Sequence, residues 1–383
     1  MIQIAFASTG MSLAVVLRAL SIVMLMVLAG CATRPGPSDL ALVEKVAGAK
    51  TVQVYVATTR EPPSGGENGF TSARAEGLHF ARYTVSLPPN HKAGEIEWPS
   101  NGKPDPLKSF AVLDRETLTS DEFYRDVKAK AARLPQDRAN IGVFVHGFNT
   151  NFQEALFRLV QMSGDSNIDG VPVLFTWPSK ASVTGYLADK DSVTYSRDYL
   201  VDMLTRLTVK GEERRVLVFG HSMGGWLVTE SLRQLKLMGR TDALHHLEVL
   251  LAAPDVDADV FRRQMAVVGP LTPPMVVFVS TDDKALLASR LVAGDVTRIG
   301  ALDVHDPIVE ETARRENIVL VDVSSLQGTN KLNHDRYVQL AALYPQLTEQ
   351  RQTLNSVGGF VLEAAATTVS SPFRLVKLVV DPQ

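Results

Sequence analysis

The sequence predicts an α/β fold, with a mostly parallel central sheet covered by helices on both faces and a β-rich segment ahead of it. Three observations carry this expectation. Runs of Val, Leu, Ile and Phe at residues 141–145, 171–177, 215–219, 246–252, 275–279 and 318–323 are almost continuously apolar. A strand with one wet face would alternate, so these read as strands buried on both sides. Between them lie helix-patterned stretches of 10 to 18 residues, the length of crossover helices in βαβ units. Residues 51–57 and 78–87, in contrast, alternate β-branched or aromatic residues with small or polar ones, the pattern of half-buried strands.

Composition narrows the function classes. The chain has 383 residues, 45% of them hydrophobic, with 39 Lys+Arg against 42 Asp+Glu and one cysteine. A net charge of −3 argues against a nucleic-acid partner, which calls for a basic surface. A single cysteine supports neither an internal disulfide nor a paired-cysteine metal site. No phosphate-binding G-x-x-x-x-G-K-[ST] loop, no G-x-G-x-x-G opening a helix and no metal-spaced His/Cys cluster occurs, so no cofactor and no metal are expected.

Taken in order, the elements begin with a targeting segment. Residues 1–30 carry Arg18 as their one charge, and the 12 apolar or small residues after it are too few to cross a bilayer. They read as a secretory signal. Leu28-Ala29-Gly30-Cys31 resembles the lipobox of bacterial lipoproteins. That resemblance implies cleavage before Cys31, acylation of its thiol and amine, and a lipid-anchored protein facing the periplasm, with Ala32 favouring the outer membrane. An uncleaved anchor starting near Met11 is the alternative. Residues 31–50 are expected to be a tether and 51–383 one domain: a β-rich part at 51–115, a core at about 116–345 and a tail at 346–383.

Within that domain, Pro62-Pro63 and Gly65-Gly66 mark a turn-rich connection at 61–69. A helix over 119–134 opens at a Ser120 or Asp121 cap. Further helices are expected near 152–162, 192–209, 223–238, 258–265 and 284–291. The tail at 356–380 is small and apolar, and fits an edge strand, a docked helix or a membrane-facing strip equally.

The chemistry gathers where strands end. Gly220-His221-Ser222-Met223-Gly224 is a G-x-S-x-G sequence entered by a buried strand and left by an apolar helix. A strand turning directly into a helix strains the central residue, and side chains two positions either side would collide. The turn presents the Ser222 hydroxyl and leaves the Met223 N–H at a helix N-terminus, aimed at a developing anion. A serine needs a base oriented by an acid. On such folds the order is serine, acid, histidine, which leaves His334 in Asn333-His334-Asp335 as the base, with His305 behind it. Asp283, leaving the strand 275–279, is the acid, with Asp282 and Asp255 as alternatives; Asp257 and Asp259 suit a helix start. Asp283 can both cap the next helix and orient the imidazole only if its second oxygen is free. Phe148 is expected to give the second oxyanion N–H, Asn149 being the alternative. His146 should fix that loop by buried hydrogen bonds, and Trp177 should line the pocket or pack in the core.

The His-Gly-Phe loop, the elbow, Asp283-Lys284-Ala285-Leu286 and the late Asn333-His334 resemble the α/β-hydrolase superfamily. The segments Tyr55–Arg60, His91–Ile96, Phe144–Asn149, Ala252–Val256 and Ser280–Leu286 are similar to one bacterial branch of it, the DUF900 hydrolases. The resemblance implies an esterase- or lipase-like serine hydrolase without a cofactor. Its substrate would be a small-molecule ester or a lipid-like one. Cleavage of amides, thioesters or peptides by the same residues, or a non-catalytic envelope lipoprotein binding through residues 51–100, are the other readings. About twenty residues between two of the strands leave no room for a large lid, which favours short or water-dispersed acyl groups, although a tethered enzyme also lies beside its bilayer.

Overall fold

The computed structural model describes residues 34–135, 140–166, 170–208, 215–326, 328, 331–339 and 374–375. The signal segment and Cys31 lie outside the described residues, as does most of the tail.

One ten-stranded sheet organises the chain, in the order β10-β9-β8-β7-β6-β4-β5-β1-β2-β3. The front hairpins are β1 (Thr51–Arg60), β2 (Arg74–Ser86) and β3 (Ala111–Leu118), antiparallel to one another. β1 then joins β5 in parallel, and this fuses the β-rich front to the core in one sheet. The parallel strands are β4 (Ile141–Val145), β5 (Val171–Thr176), β6 (Val216–His221), β7 (Leu247–Ala252), β8 (Met275–Val279) and β9 (Ile318–Asp322). Of the three readings of the tail, the edge strand is the one seen where the tail is described: β10 (Arg374–Leu375) pairs antiparallel with β9.

The helices are α1 (Ser120–Ala131), α2 (Phe152–Ser166), α3 (Tyr186–Leu207), α4 (Met223–Leu237), α5 (Thr241–His245), α6 (Ala258–Val268), α7 (Lys284–Val292) and α8 (Pro307–Arg315). Successive side chains along a strand point to opposite faces. Val143 and Val145 therefore join one core with Phe123 and Val127 of α1, Leu200 and Leu204 of α3 and Leu227 of α4. Phe144 joins the other, with Phe152, Leu156 and Val160 of α2. This two-sided burial is why the strands of the sequence are continuously apolar.

Several boundaries differ from the sequence expectation. The cap of α1 is Thr119, not Ser120 or Asp121: its hydroxyl accepts from the Glu122 N–H while Glu122 reaches back to the Thr119 N–H, a capping box. α3 starts at Tyr186, six residues before the apolar pattern becomes visible, because its first turn carries an exposed Leu187 and a buried, hydrogen-bonded Asp189 instead of an apolar stripe. β3 was not anticipated, since Asp114-Arg115-Glu116 interrupts its pattern; as the outermost strand it tolerates charge. α8 buries only Ala313, so no apolar stripe announces it, yet Asp306 capping Pro307 is a legible start signal. His91 bonds Glu97 (2.7 Å) and Asp165 (2.8 Å), pinning the loop after β2 to the end of α2.

The carboxyl ends of the parallel strands share one edge, and there the glycines of the elbow are sterically required. A Cβ on Gly224 would enter the carbonyl oxygens of Val145 and His146, and one on Gly220 would lie 2.8 Å from Gly225 Cα. Gly224→Ala must push α4 from β4, and we expect it to cost about 2–3 kcal/mol in urea unfolding; unchanged stability would contradict this packing.

Candidate active site

Ser222 stands between β6 and α4 with φ 53 and ψ −121, a left-handed backbone that a non-glycine residue adopts at a cost of about 1–3 kcal/mol. Hydrogen bonds on both sides hold it there. Its N–H donates to the Ala252 carbonyl (2.9 Å), and its carbonyl accepts from Gly225 N–H (2.9 Å) and Asp255 N–H (3.1 Å). Met223 is the first residue of α4, where an N–H has no helical carbonyl to bond.

Asp283 is fully buried and uses its two oxygens for two tasks. Oδ1 accepts from the Ala285 and Leu286 N–H groups, both at 3.0 Å, capping α7. Oδ2 lies 2.7 Å from His334 Nδ1. The condition set by the sequence is thus met, because capping and orienting fall on different oxygens. Lys284 N–H donates to the Leu332 carbonyl (3.0 Å), tying the histidine loop to the same helix start.

Asp282 faces elsewhere. Both Nη atoms of Arg336 bond it, with Ser280 and Asn333 adding to the grip, and the guanidinium holds its carboxyl well below the usual carboxylate range. This pair clamps residues 331–336 onto the end of β8. Asp255 is buried with Arg298 (3.2 Å), Ser289 (2.6 Å) and Tyr186 (2.9 Å). Asp257 caps α6, and Asp259 is exposed beside Arg262. His305 is exposed ahead of α8, where its N–H bonds Asp303. Of the candidates, the structure brings Asp283 and His334 together and leaves His305, Asp282 and Asp255 apart from that pair.

Ser222 is connected to this pair through its neighbour. His221 Nε2–H donates to the His334 carbonyl at 3.1 Å, and its ring lies between those of His334 (4.7 Å) and Tyr337 (4.4 Å). Burial first, and the adjacent His334 second, depress its pKa well below the ordinary imidazole value, so it stays neutral. The Ser222 hydroxyl and His334 ring share no hydrogen bond in this arrangement; catalytic contacts of this kind commonly tighten only around substrate. In the sequence His221 stands only as the variable residue before the serine of the G-x-S-x-G pattern. Its role is legible only once the chain is folded.

The loop after β4 comes against the elbow: a Cβ on Gly147 would lie 2.9 Å from Ser222 Cβ and 3.0 Å from His221 Nδ1. His146 is buried and anchors this loop, as expected, donating from Nδ1 to the Gly147 carbonyl (2.9 Å) and accepting at Nε2 from Thr176 Oγ1 (2.9 Å). Thr176 Oγ1 in turn accepts from Arg60 Nε (2.9 Å), and Arg60 also reaches the Thr150 carbonyl (2.9 Å). Burial pulls the Arg60 pKa down to about 9, so it remains a cation behind the loop. Trp177 is fully buried, stacked on His146 at 4.8 Å with its Nε1–H on the His146 carbonyl, which settles it as packing. Asp189, buried at the start of α3, accepts from Ser179 Oγ (2.6 Å), Lys180 N–H (2.7 Å) and Asn149 N–H (3.3 Å). The Asn149 N–H is therefore already engaged. The roles of Arg60, Asp189, His221 and Arg336 were not legible in the sequence, since each acts through partners distant in the chain.

A family described as "Alpha/beta hydrolase of unknown function (DUF900)" matches residues 123–351, more than half of the chain. The protein belongs to this family of α/β hydrolases. It is therefore a hydrolase in its coarse assignment. No curated protein matches it. Among solved structures, similarity extends to a study of two fungal esterases from Rhizomucor miehei, at 10% identity over 90% of this chain and 94% of that one, TM-score 0.30. It extends also to a "Putative hydrolase from Agrobacterium vitis S4", at 12% identity over 76% of this chain and 97% of that one, TM-score 0.32.

One consequence concerns acid stability. Burial first and the Arg60 charge second pull the His146 pKa down to about 3. The folded state then binds fewer protons than the unfolded chain at pH values between about 3 and the free-imidazole value near 6.5, so stability is complete above that value and falls on acidification. By pH 5 His146 alone should remove about 2 kcal/mol. Urea unfolding at pH 7.5 and pH 5 reads this directly, and a flat profile would contradict it.

Proposed function

We propose that this hydrolase cleaves carboxylic esters through Ser222, His334 and Asp283, by way of an acyl-enzyme. The single observation that supports this reading most strongly is the Asp283–His334 bond at 2.7 Å, held beside a strained elbow that bears a serine. With Nδ1 facing Asp283, His334 presents Nε2 as the proton acceptor, the tautomer that a serine base requires. The Ser222 oxygen attacks the ester carbonyl carbon as its proton passes to His334 Nε2. The Met223 and Phe148 N–H groups hold the oxygen that becomes negative. When the tetrahedral centre collapses, the C–O bond to the alcohol breaks and the alcohol leaves with the proton from His334. Water then attacks the acyl-serine with His334 again as base, releasing the carboxylic acid and restoring Ser222.

Asp283 keeps the imidazole in this tautomer and stabilises the imidazolium, and His221 and the Asp282–Arg336 pair position the loop from which His334 projects. The geometry separates the two neighbouring acids. Asp283→Asn should lower kcat on a soluble ester by about 10⁴, the size of effect that follows loss of the correct tautomer. Asp282→Asn should act through the loop and stay within about a hundredfold, an effect on positioning in the range of a single hydrogen bond to a charged group. His334→Ala should abolish turnover, and His305→Ala should leave it unchanged. Equal losses in Asp282→Asn and Asp283→Asn, or full activity in His334→Ala, would overturn the assignment.

A further inference from the structure

The first described residues dock on the active-site edge. Arg34 bonds both carboxylate oxygens of Glu154 (2.9 and 2.7 Å), the Asn149 side chain (2.9 Å) and the backbone carbonyls of Asn149 and Ala181. Asn151 Nδ2 donates to the Pro35 carbonyl at 2.7 Å, and Asn68 Nδ2 to that of Pro37 at 3.2 Å. The first described residue thus bonds Asn149, one residue from Phe148, the expected oxyanion donor. Cys31 is three residues further on, a reach of at most about 10 Å.

The same edge exposes large apolar side chains. Val183, two residues from the Arg34 contact at Ala181, is 77% exposed, and Leu187, at the start of α3, is 72% exposed. Tyr186 between them bonds Ser289 of α7 (3.0 Å) and rings against Phe148 (5.3 Å), so this segment adjoins α7 beside the oxyanion loop. The outer face of α7 carries Leu287 and Leu291, one turn apart, then Val292, with Leu291 75% exposed. Leu332, half-exposed, sits against the start of α7 through the Lys284 N–H. The exposed ammonium groups of Lys284 and Lys331 border it, a sign of charge that suits anionic lipid headgroups. Exposed apolar side chains gathered on one edge beside a site mark an interaction surface, and here the expected anchor on Cys31 points to its occupant.

We infer that this rim seats on the phospholipid bilayer that holds the acylated Cys31, so that the Ser222 elbow faces the membrane surface and the substrate is an acyl ester of a membrane amphiphile. The inference rests on the ester hydrolase reading and on lipidation of Cys31. An acyl chain on Cys31 anchors but does not orient; the Arg34 clamp and the apolar rim together supply orientation, because both lie on one edge of the sheet.

The full-length lipidated protein in vesicles of phosphatidylethanolamine and phosphatidylglycerol tests this in two independent ways. With the Cys31 thiol acylated, Leu291→Cys and, at the far end of α4, Leu237→Cys each offer a single free thiol for an environment-sensitive fluorophore. Lipids brominated on the acyl chains should quench the label at 291 at least about twofold more than that at 237, as expected of a side chain lying 5–10 Å into the interface. Equal quenching would overturn the orientation. So would a label at 291 shielded without vesicles in a dimeric protein, which would assign the face to a second copy. An intact 1–30 segment by mass spectrometry would overturn the anchor. Second, Leu287→Asp with Leu291→Asp should lower hydrolysis of a long-chain ester carried in the vesicles at least about tenfold, the equivalent of losing one buried leucine, with a water-soluble short-chain ester unaffected. Equal loss on both substrates would overturn the substrate class. Failure of the wild type to hydrolyse any ester would overturn the functional reading and leave the quenching result standing.

Discussion

Everything at this site depends on one carboxylate serving two masters. Asp283 follows β8 and caps α7, and its two oxygens face different ways, one into the helix N-terminus and the other onto His334. Complete burial makes an unpartnered oxygen expensive there, so each bond enforces the other. The helix cap fixes the carboxylate, and the carboxylate then fixes the imidazole. A surface aspartate at the same distance would leave His334 free to rotate.

Around that pair, the fold uses rigid parts to hold soft ones. The elbow is tied to the end of β7 and to the segment after it, while Gly224 and Gly147 let the loop after β4 approach it without side chains in the way. The chain of Arg60, Thr176 and His146 runs behind that loop and engages its polar groups. Asp189 holds it from the α3 side. His334 itself projects from a loop, and loops need staples: His221 bonds its carbonyl and Arg336 locks onto Asp282.

The sequence exposed the parts of this design that are local. Buried strands and the glycines of the elbow follow from periodicity and steric necessity within a few residues, while the order of serine, acid and histidine expected on such folds pointed to Ser222, to His334 and to the acids after β8. The choice between Asp282 and Asp283 needed the fold, because both follow β8 and only the partners, Arg336 for one and His334 for the other, tell them apart. The partners of Arg60, Asp189 and His221 were hidden for the same reason. β3 was hidden by charges that an outer strand can carry, and α8 by the lack of a buried stripe. What was misread at Thr119 is instructive: the capping box lay in the sequence as Thr119 followed by Glu122, one residue ahead of the position chosen.

The central claim is that the strained serine is a nucleophile primed by His334. The most direct measurement is peptide-mapped mass spectrometry after reaction with an alkyl fluorophosphonate, in which the serine oxygen displaces fluoride. The account predicts a single adduct on the peptide bearing Ser222, formed quickly in the wild type and lost when His334 is replaced by alanine. An adduct on another residue, or one on Ser222 that forms equally fast without the histidine, would contradict it.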